Sequence, residues 1–164
     1  MTFTKFNVAT SASASASANK IYFLSKSRPR ILISEPILTW FEEVKQRLEY
    51  LIRLEQGWDG YKGLSVSFDN AYFAMQMLES ICGTETPAPQ IVPGVAGDLQ
   101  IEWHTLKGDI ELHVKAPNDV DAWILDVDGD EAGVERSLTT DFTEIATWVT
   151  KITEASIAAE AAAA

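Results

Sequence analysis

Four side chains that can bind a metal or move a proton lie on two adjacent predicted strands. Glu102 and His104 alternate with apolar residues in the first strand, and Glu111 and His113 do so in the second. A two-residue hairpin turn at 107–108 would place Glu102 opposite His113. It would also place His104 opposite Glu111, with opposed Cβ atoms about 5 Å apart. Two imidazoles and two carboxylates on one face can hold zinc or a similar ion, or act as a general acid and base. The alternative interpretation is that these opposite charges only favour strand pairing.

A second set of candidate residues lies in the run GWDGY at 57–61. Trp58 and Tyr61 flank the carboxylate of Asp59 and would form a partner-binding edge, because Trp and Tyr are enriched at binding hot spots. The alternative, which we favour, is structural. In that interpretation Gly57 ends a helix, and Trp58 packs onto the helix end and the underside of the sheet. Asp59 then accepts hydrogen bonds from neighbouring amides.

The remaining motifs that could carry chemistry are incomplete. Asp126, Asp128 and Asp130 have the spacing that starts a calcium-binding loop. The sixth and twelfth places, which should be Gly and Glu, are Glu131 and Ser137, so the run predicts an acidic turn. The sequence contains no glycine-rich phosphate loop and no Gly-x-Ser-x-Gly or His-Glu-x-x-His motif. We therefore assign no catalytic residue and lean away from an enzyme.

Composition narrows the function classes further. The chain of 164 residues is 46% hydrophobic and has a net charge of −11, which argues against binding to a phosphate backbone. Its charge is uneven: residues 1–30 hold five basic and no acidic residues, whereas the remainder holds eight basic and twenty-four acidic ones. With a single cysteine, Cys82, the chain cannot form an intrachain disulfide, and we interpret Cys82 as a small core residue. No apolar run is long enough to span a membrane.

The composition also divides the chain into three parts. Residues 1–19 form a Ser/Ala-rich stretch that we expect to be a flexible tail. Residues 20–155 form a single α+β domain, and residues 156–164 form an Ala-rich C-terminal tail that would be helical but pack little.

Helical periodicity and capping residues predict three helices. The first begins with Ser34 as its cap and Pro36 in its first turn, and it ends at Gly57. The second is capped by Ser67 and ends at Gly83, with Ala71, Ala74, Leu78 and Ile81 as its buried stripe. The third opens at Asp141, which forms a capping-box pattern with Glu144, and directs Phe142, Ile145, Val149 and Ile152 inward.

Alternating apolar residues predict strands at 99–104, 110–114 and 120–126, with a fourth at 91–95. The predicted fold is therefore α+β: a single antiparallel sheet of three to four strands in a meander, packed on one face by three helices in the order ααββββα. The expected core consists of Phe41, Val44, Leu48, Leu78, Ile101, Trp103, Ile110, Leu112, Val114 and Val149.

Three segments also carry a family resemblance. They are Leu54-x-x-Gly57-Trp58-Asp59-Gly60-Tyr61, the proline-rich link ending in Pro89-x-x-x-Pro93, and Leu99-x-Ile101-Glu102-Trp103. This series resembles an uncharacterised family of small bacterial proteins that share a GWDG turn and an IEW strand motif. The resemblance covers roughly residues 36–126. It implies similar domain limits and a bacterial or phage origin but no activity or site residue. This chain departs from the family in having GLSV at 63–66, where the family tends to have prolines.

These observations favour a non-enzymatic, small acidic binding protein in the cytoplasm that neutralises or adapts a basic protein partner, in the manner of an antitoxin or immunity protein. We expect no cofactor, no nucleic-acid partner and no membrane partner. One alternative is a metal-binding protein or metal-dependent enzyme that uses the His/Glu cluster of the hairpin. A further alternative is an anti-defence DNA mimic, which would need rows of carboxylates.

Overall fold

The computed structural model describes residues 38–129 and 133–163. These residues form three helices and one antiparallel sheet of five strands, in which each strand pairs with its neighbours in sequence. The helices are α1 (Phe41–Leu51), α2 (Phe68–Ile81) and α3 (Thr143–Ala163). The strands are β1 (Gln90–Pro93), β2 (Leu99–Thr105), β3 (Gly108–Ala116), β4 (Asp119–Asp126) and β5 (Val134–Leu138). The α+β meander is confirmed, but the sheet has five strands rather than three to four.

The core lies between the three helices and one face of the sheet. Alternate residues of β2, β3 and β4 are buried, as the apolar–polar alternation of these strands requires. All the expected core residues are buried except Phe41, which packs against the core but is partly exposed. Sequence reasoning missed Trp40, which is fully buried and donates a hydrogen bond from Nε1 to the Gly83 carbonyl at 3.0 Å.

The first helix is shorter than predicted at both ends. Its predicted cap, Ser34, lies outside the described residues, and residues 38–40 precede the helix as a turn. The helix ends at Leu51, so the prediction that Gly57 ends it was wrong. The Leu51 carbonyl accepts hydrogen bonds from the Leu54 and Val66 amides, which turns the chain away from the helix axis. Gly57 has a positive φ of 84° within the following loop.

The second helix begins as predicted, and it ends at Ile81, two residues before the predicted end at Gly83. The Ser67 side chain accepts a hydrogen bond from the Asn70 amide at 3.1 Å, and the predicted apolar stripe is buried. The Asn70 side chain, which is also buried, donates to the Gly97 carbonyl at 2.9 Å. This bond ties the helix start to the loop between β1 and β2.

The β2–β3 hairpin has a different turn from the predicted one. Its two turn residues are Leu106 and Lys107, and Gly108 pairs with Thr105 inside the sheet. The register is therefore shifted by two residues from the prediction, which leaves every side chain on its expected face but changes its partner. Only glycine fits this strand position, because its φ is 151° and a Cβ there would lie 2.0 Å from the Leu125 carbonyl oxygen.

The last strand, β5, has no predicted counterpart. Its side chains are partly or fully exposed on both faces, as expected of an edge strand, so it lacks the alternation that reveals a half-buried strand. The helix α3 begins close to its predicted start, where Asp141 accepts a hydrogen bond from the Thr143 amide at 3.0 Å. Its Ala-rich end remains helical and exposed up to residue 163. Within the described ranges, no helix combines the length and apolar character needed to cross a bilayer.

Candidate binding face of the sheet

The helices cover one face of the sheet, and no described helix packs on the other, which we call the open face. The outward side chains of the five strands make up this face. They are Gln90, Val92, Gln100, Glu102, His104, Asp109, Glu111, His113, Asp121, Trp123, Leu125, Glu135 and Ser137. All four members of the predicted His/Glu cluster lie here.

A central row of side chains crosses all five strands of the open face. In register, Gln90 faces Glu102 and Glu102 faces Glu111. Glu111 in turn faces Trp123, which faces Glu135 on the edge strand. Glu102 and Glu111 are thus like charges directly opposite each other, an arrangement that destabilises an antiparallel pair. Strand pairing alone therefore does not explain these acids.

The predicted histidine–glutamate pairs are wrong, because the hairpin register differs. His104 faces Asp109, and His113 faces Gln100. The two nitrogens of His104 contact different carboxylates, Glu102 and Asp109, each at 3.2 Å. The hydrogen bond to Glu102, with a further contribution from Asp109, raises the pKa of His104 above its ordinary value. In the described part of the chain, no three His, Cys, Asp or Glu side chains are grouped so as to hold a metal ion.

His113 pairs instead with Asp98, from the loop between β1 and β2. Burial alone would raise the pKa of the Asp98 carboxyl, but hydrogen bonds from His113 and the Ala96 amide outweigh it, so this pKa lies below its usual value. The contact places an imidazole at one end of the open face and holds its ring in position.

Beside the central row, the open face contains a depression of about 530 Å³. It is lined by Gln100, Glu111, His113, Asp121, Ala122, Trp123, Glu135, Arg136 and Ser137. Gln100 donates to Glu111 at 2.9 Å, and Ser137 donates to Asp121 at 3.0 Å. These bonds orient two of the carboxylates that line the depression.

The basic side chains at the depression are already paired. Arg136 belongs to its lining, and its guanidinium contacts Glu144 at 3.0 Å. Lys115 contacts Asp119 and Asp121, each at 2.9 Å, and its hydrogen bond lowers the pKa of the Asp121 carboxyl, with help from Ser137. Among the residues that the structure describes, Glu111 and Glu135 form no ion pair. Two carboxylates on either side of Trp123 are therefore available to a cationic ligand.

The GWDGY run forms a closed loop of its own. Asp59 accepts hydrogen bonds from the Gly63 and Tyr61 amides at 2.9 Å each, which confirms the predicted role of its carboxylate and lowers its pKa. Trp58 is half-buried, and its Nε1 donates to the Leu64 carbonyl at 2.8 Å. Trp58 does not belong to the described core cluster or to the side chains packed against it, so its predicted place under the sheet was wrong. Tyr61 is 88% exposed. A partner-binding role for this loop stays a prediction.

The structure also places two weaker candidates, the acidic turn as a calcium site and Cys82 as a nucleophile. In the acidic turn after β4, Asp126 pairs with Lys151 and Asp128 pairs with Lys107, while Asp130 lies outside the described residues. Burial raises the pKa of the Cys82 thiol to about 12, which makes it a poor nucleophile at neutral pH.

Sequence reasoning missed Trp123 as a site residue. The signal was present, because Val120, Ala122 and Ile124 mark the inward positions of β4 and leave Trp123 facing outward. A large aromatic side chain on the polar face of a strand does not contribute to the core, and it indicates a surface that binds a ligand or partner.

A comparison with protein-family models finds no match for this chain, and comparisons with curated proteins and with solved structures find none either. The resemblance to the GWDG and IEW family therefore stays a prediction, and the function must be argued from the open face itself.

Proposed function

We propose that the protein is a non-enzymatic binding module of the cytoplasm whose open face binds a basic segment of a protein partner and so neutralises or adapts that partner. The observation that carries this proposal is the central row, in which Glu102, Glu111 and Glu135 lie in register with Trp123 on the face opposite the helices.

Energetics support a binding role for this row. Like charges directly opposite each other cost roughly 0.2–1 kcal/mol relative to a neutral pair. A positively charged ligand bound between the two carboxylates would be attracted by both of them and would offset this repulsion. The electrostatic potential around the domain is also negative, since residues 31–164 hold twenty-four acidic and eight basic residues. Such a field accelerates encounter with a basic surface and repels an acidic one.

A charge-neutralised variant tests the proposal. In the open-face variant, Glu102→Gln, Glu111→Gln and Glu135→Gln remove three charges while keeping the size of each side chain. A matched control, with Glu43→Gln, Glu79→Gln and Glu154→Gln, removes three charges from exposed positions of the helices. The measurement is binding of a labelled oligolysine peptide at low salt, together with retention of basic proteins from an extract of the native host.

We expect the open-face variant to bind the peptide at least about tenfold more weakly than the parent, and the helix control to lose about threefold or less. Binding by the parent should also fall steeply in ~0.5 M salt, because screening removes attraction beyond a few ångströms. Well above the pKa of His104, where the imidazole no longer gains from Glu102, the open-face variant should melt at the same or a higher temperature than the parent, since the like-charge opposition is gone. Equal losses in the two variants would mean that net charge alone, and not the open face, attracts basic ligands.

A further inference from the structure

Trp123 has an unusual position on the open face. It lies near the middle of β4, half-buried, with Glu111 opposite it on one side and Glu135 opposite it on the other. Neighbouring strands are about 4.8 Å apart, so both carboxylates are within reach of a group that rests on the indole. The ring also borders the 530 Å³ depression.

The indole is held in place from one edge. Gly133 has a φ of 69°, and a Cβ at this position would lie 2.6 Å from the Trp123 Nε1. The backbone therefore passes directly against the nitrogen edge of the ring, in a space that only a glycine leaves open. This packing restricts the ring to an orientation fixed by the backbone, which reduces the entropy that a ligand stacking on it would cost.

This combination of groups suits a guanidinium better than an ammonium. A guanidinium is planar, stacks on aromatic faces and presents N–H donors in a rigid fork to carboxylates. An ammonium is a strongly hydrated point charge that gains less from a flat aromatic surface. Glu111 is already oriented by Gln100 at 2.9 Å, so one of its oxygens is fixed before a ligand arrives.

We propose that the depression beside Trp123 is an arginine-binding subsite, in which one guanidinium of an extended basic segment stacks on the indole between Glu111 and Glu135. This inference rests on the proposed function and names the residue type that the open face selects. The occupant follows from charge complementarity, because the lining contributes three carboxylates, those of Glu111, Asp121 and Glu135. The basic side chains there are already paired: Arg136, in the lining, contacts Glu144, and the nearby Lys115 bridges Asp119 and Asp121.

Two peptides of equal length, one alternating serine with arginine and the other alternating serine with lysine, test the subsite. We expect the full-length chain to bind the arginine peptide about five- to tenfold more tightly than the lysine peptide. The arginine peptide should also shift the NMR signal of the Trp123 indole N–H, which is assigned by its loss in Trp123→Phe.

The variant Trp123→Leu should reduce the preference for arginine to less than about twofold, while Trp123→Phe, which keeps an aromatic face, should retain part of it. The matched control is Trp148→Leu on α3. That ring already lies 4.8 Å from the Lys151 ammonium, and its loss should leave the preference unchanged. The NMR spectrum of each variant verifies that it is folded.

Each outcome separates the subsite from the proposed function. Equal binding of both peptides, abolished by the open-face variant, would overturn the arginine subsite and support the general basic-segment function. A preference for arginine that survives in Trp123→Leu would also overturn the subsite. Failure of both peptides to bind would overturn the two proposals together.

Discussion

Gly63 explains the shape of the loop that holds Trp58 and Asp59. It is buried, and a Cβ at this position would lie 2.9 Å from both the Trp58 Nε1 and the Asp59 Cγ, closer than folded proteins allow. Its amide also donates to Asp59, and its carbonyl accepts from the Gly57 amide at 2.8 Å. The tryptophan and the carboxylate are thus held against the same glycine, which favours a structural role for both.

Replacement of Trp58 by alanine should cost ~1–2 kcal/mol of unfolding free energy. The variant loses one hydrogen bond, which contributes ~1 kcal/mol, and the packing of a half-buried ring. A tryptophan that filled a core site would cost ~3–5 kcal/mol instead. Urea unfolding of the parent, Trp58→Ala and Trp58→Phe measures the difference, with Trp58→Phe expected to fall between the other two. A stable Trp58→Ala chain that no longer binds a basic partner would instead make this loop the functional edge.

His104 should make stability depend on pH. Its pKa is raised in the folded chain by Glu102 and Asp109, so its favourable contribution is complete below the unfolded value of about 6.5 and is lost as the pH rises through the folded pKa. The variant His104→Gln should therefore melt below the parent at pH 5.5 and almost level with it at pH 8.5. Melting curves at the two pH values check this expectation. A difference of the same size at both would show that the imidazole contributes through packing and not through charge.

Among the elements, those with strong periodicity could be predicted from the sequence, and those defined by their turns could not. The strands β2, β3 and β4 follow from their alternation, and α2 follows from its cap at Ser67 and its apolar stripe. The hairpin register could not be read from the sequence, because turns at 106–107 and at 107–108 differ by two residues in register and so leave the same side chains on each face. The edge strand β5 has apolar residues only at its ends, Val134 and Leu138, with three exposed polar residues between them, so its alternation is too weak to recognise.

The candidate site was predictable only in part. Alternation placed Glu102, His104, Glu111 and His113 on one face, as the structure shows. Which carboxylate each histidine contacts depends on the register and on the position of a loop residue, Asp98. Trp123 belongs to no motif, and only its outward position between the buried Ala122 and Ile124 distinguishes it from a core tryptophan.

Replacement of Gly108 by alanine should weaken the β3–β4 pairing and destabilise the chain by about 2–4 kcal/mol. The new Cβ would meet the Leu125 carbonyl oxygen, which is backbone and cannot rotate away, and the φ of 151° is unfavourable for any residue with a Cβ. Chemical unfolding of Gly108→Ala measures this cost. The control is Gly60→Ala, where φ is also positive, 82°, but nothing lies within 4 Å of the added Cβ. Equal losses in the two variants would show that backbone strain, and not the close approach, determines the effect.

At the scale of the whole molecule, we expect the repulsion among acidic residues to outweigh the attraction within the ion pairs. The described pairs are mostly solvent-exposed, and such pairs typically contribute only about 0–1 kcal/mol each. The excess of acidic residues acts over longer distances and destabilises any compact state. Moderate salt should therefore stabilise this protein by screening repulsion more than attraction.

We expect the melting temperature to rise by a few degrees between ~20 mM and ~0.3 M sodium chloride, as the Debye length falls from above 20 Å to about 6 Å. Thermal unfolding followed by circular dichroism at several salt concentrations measures this rise. Sucrose provides a comparison, because it stabilises by exclusion without screening charges. A melting temperature that decreases with salt would mean that the exposed ion pairs contribute more than the repulsion does.

The strand order has a consequence for the speed of folding. Because each strand pairs only with its neighbours in the chain, the sheet forms from consecutive hairpins, and little loop-closure entropy opposes it. Isolated hairpins form in about 1–10 μs, and topologies rich in local contacts fold faster than sandwiches of similar size. Two helices precede the meander and one follows it, so each can dock onto strands that are already paired. Refolding from denaturant should therefore take milliseconds rather than seconds, which leaves the apolar face of the sheet exposed to other chains only briefly.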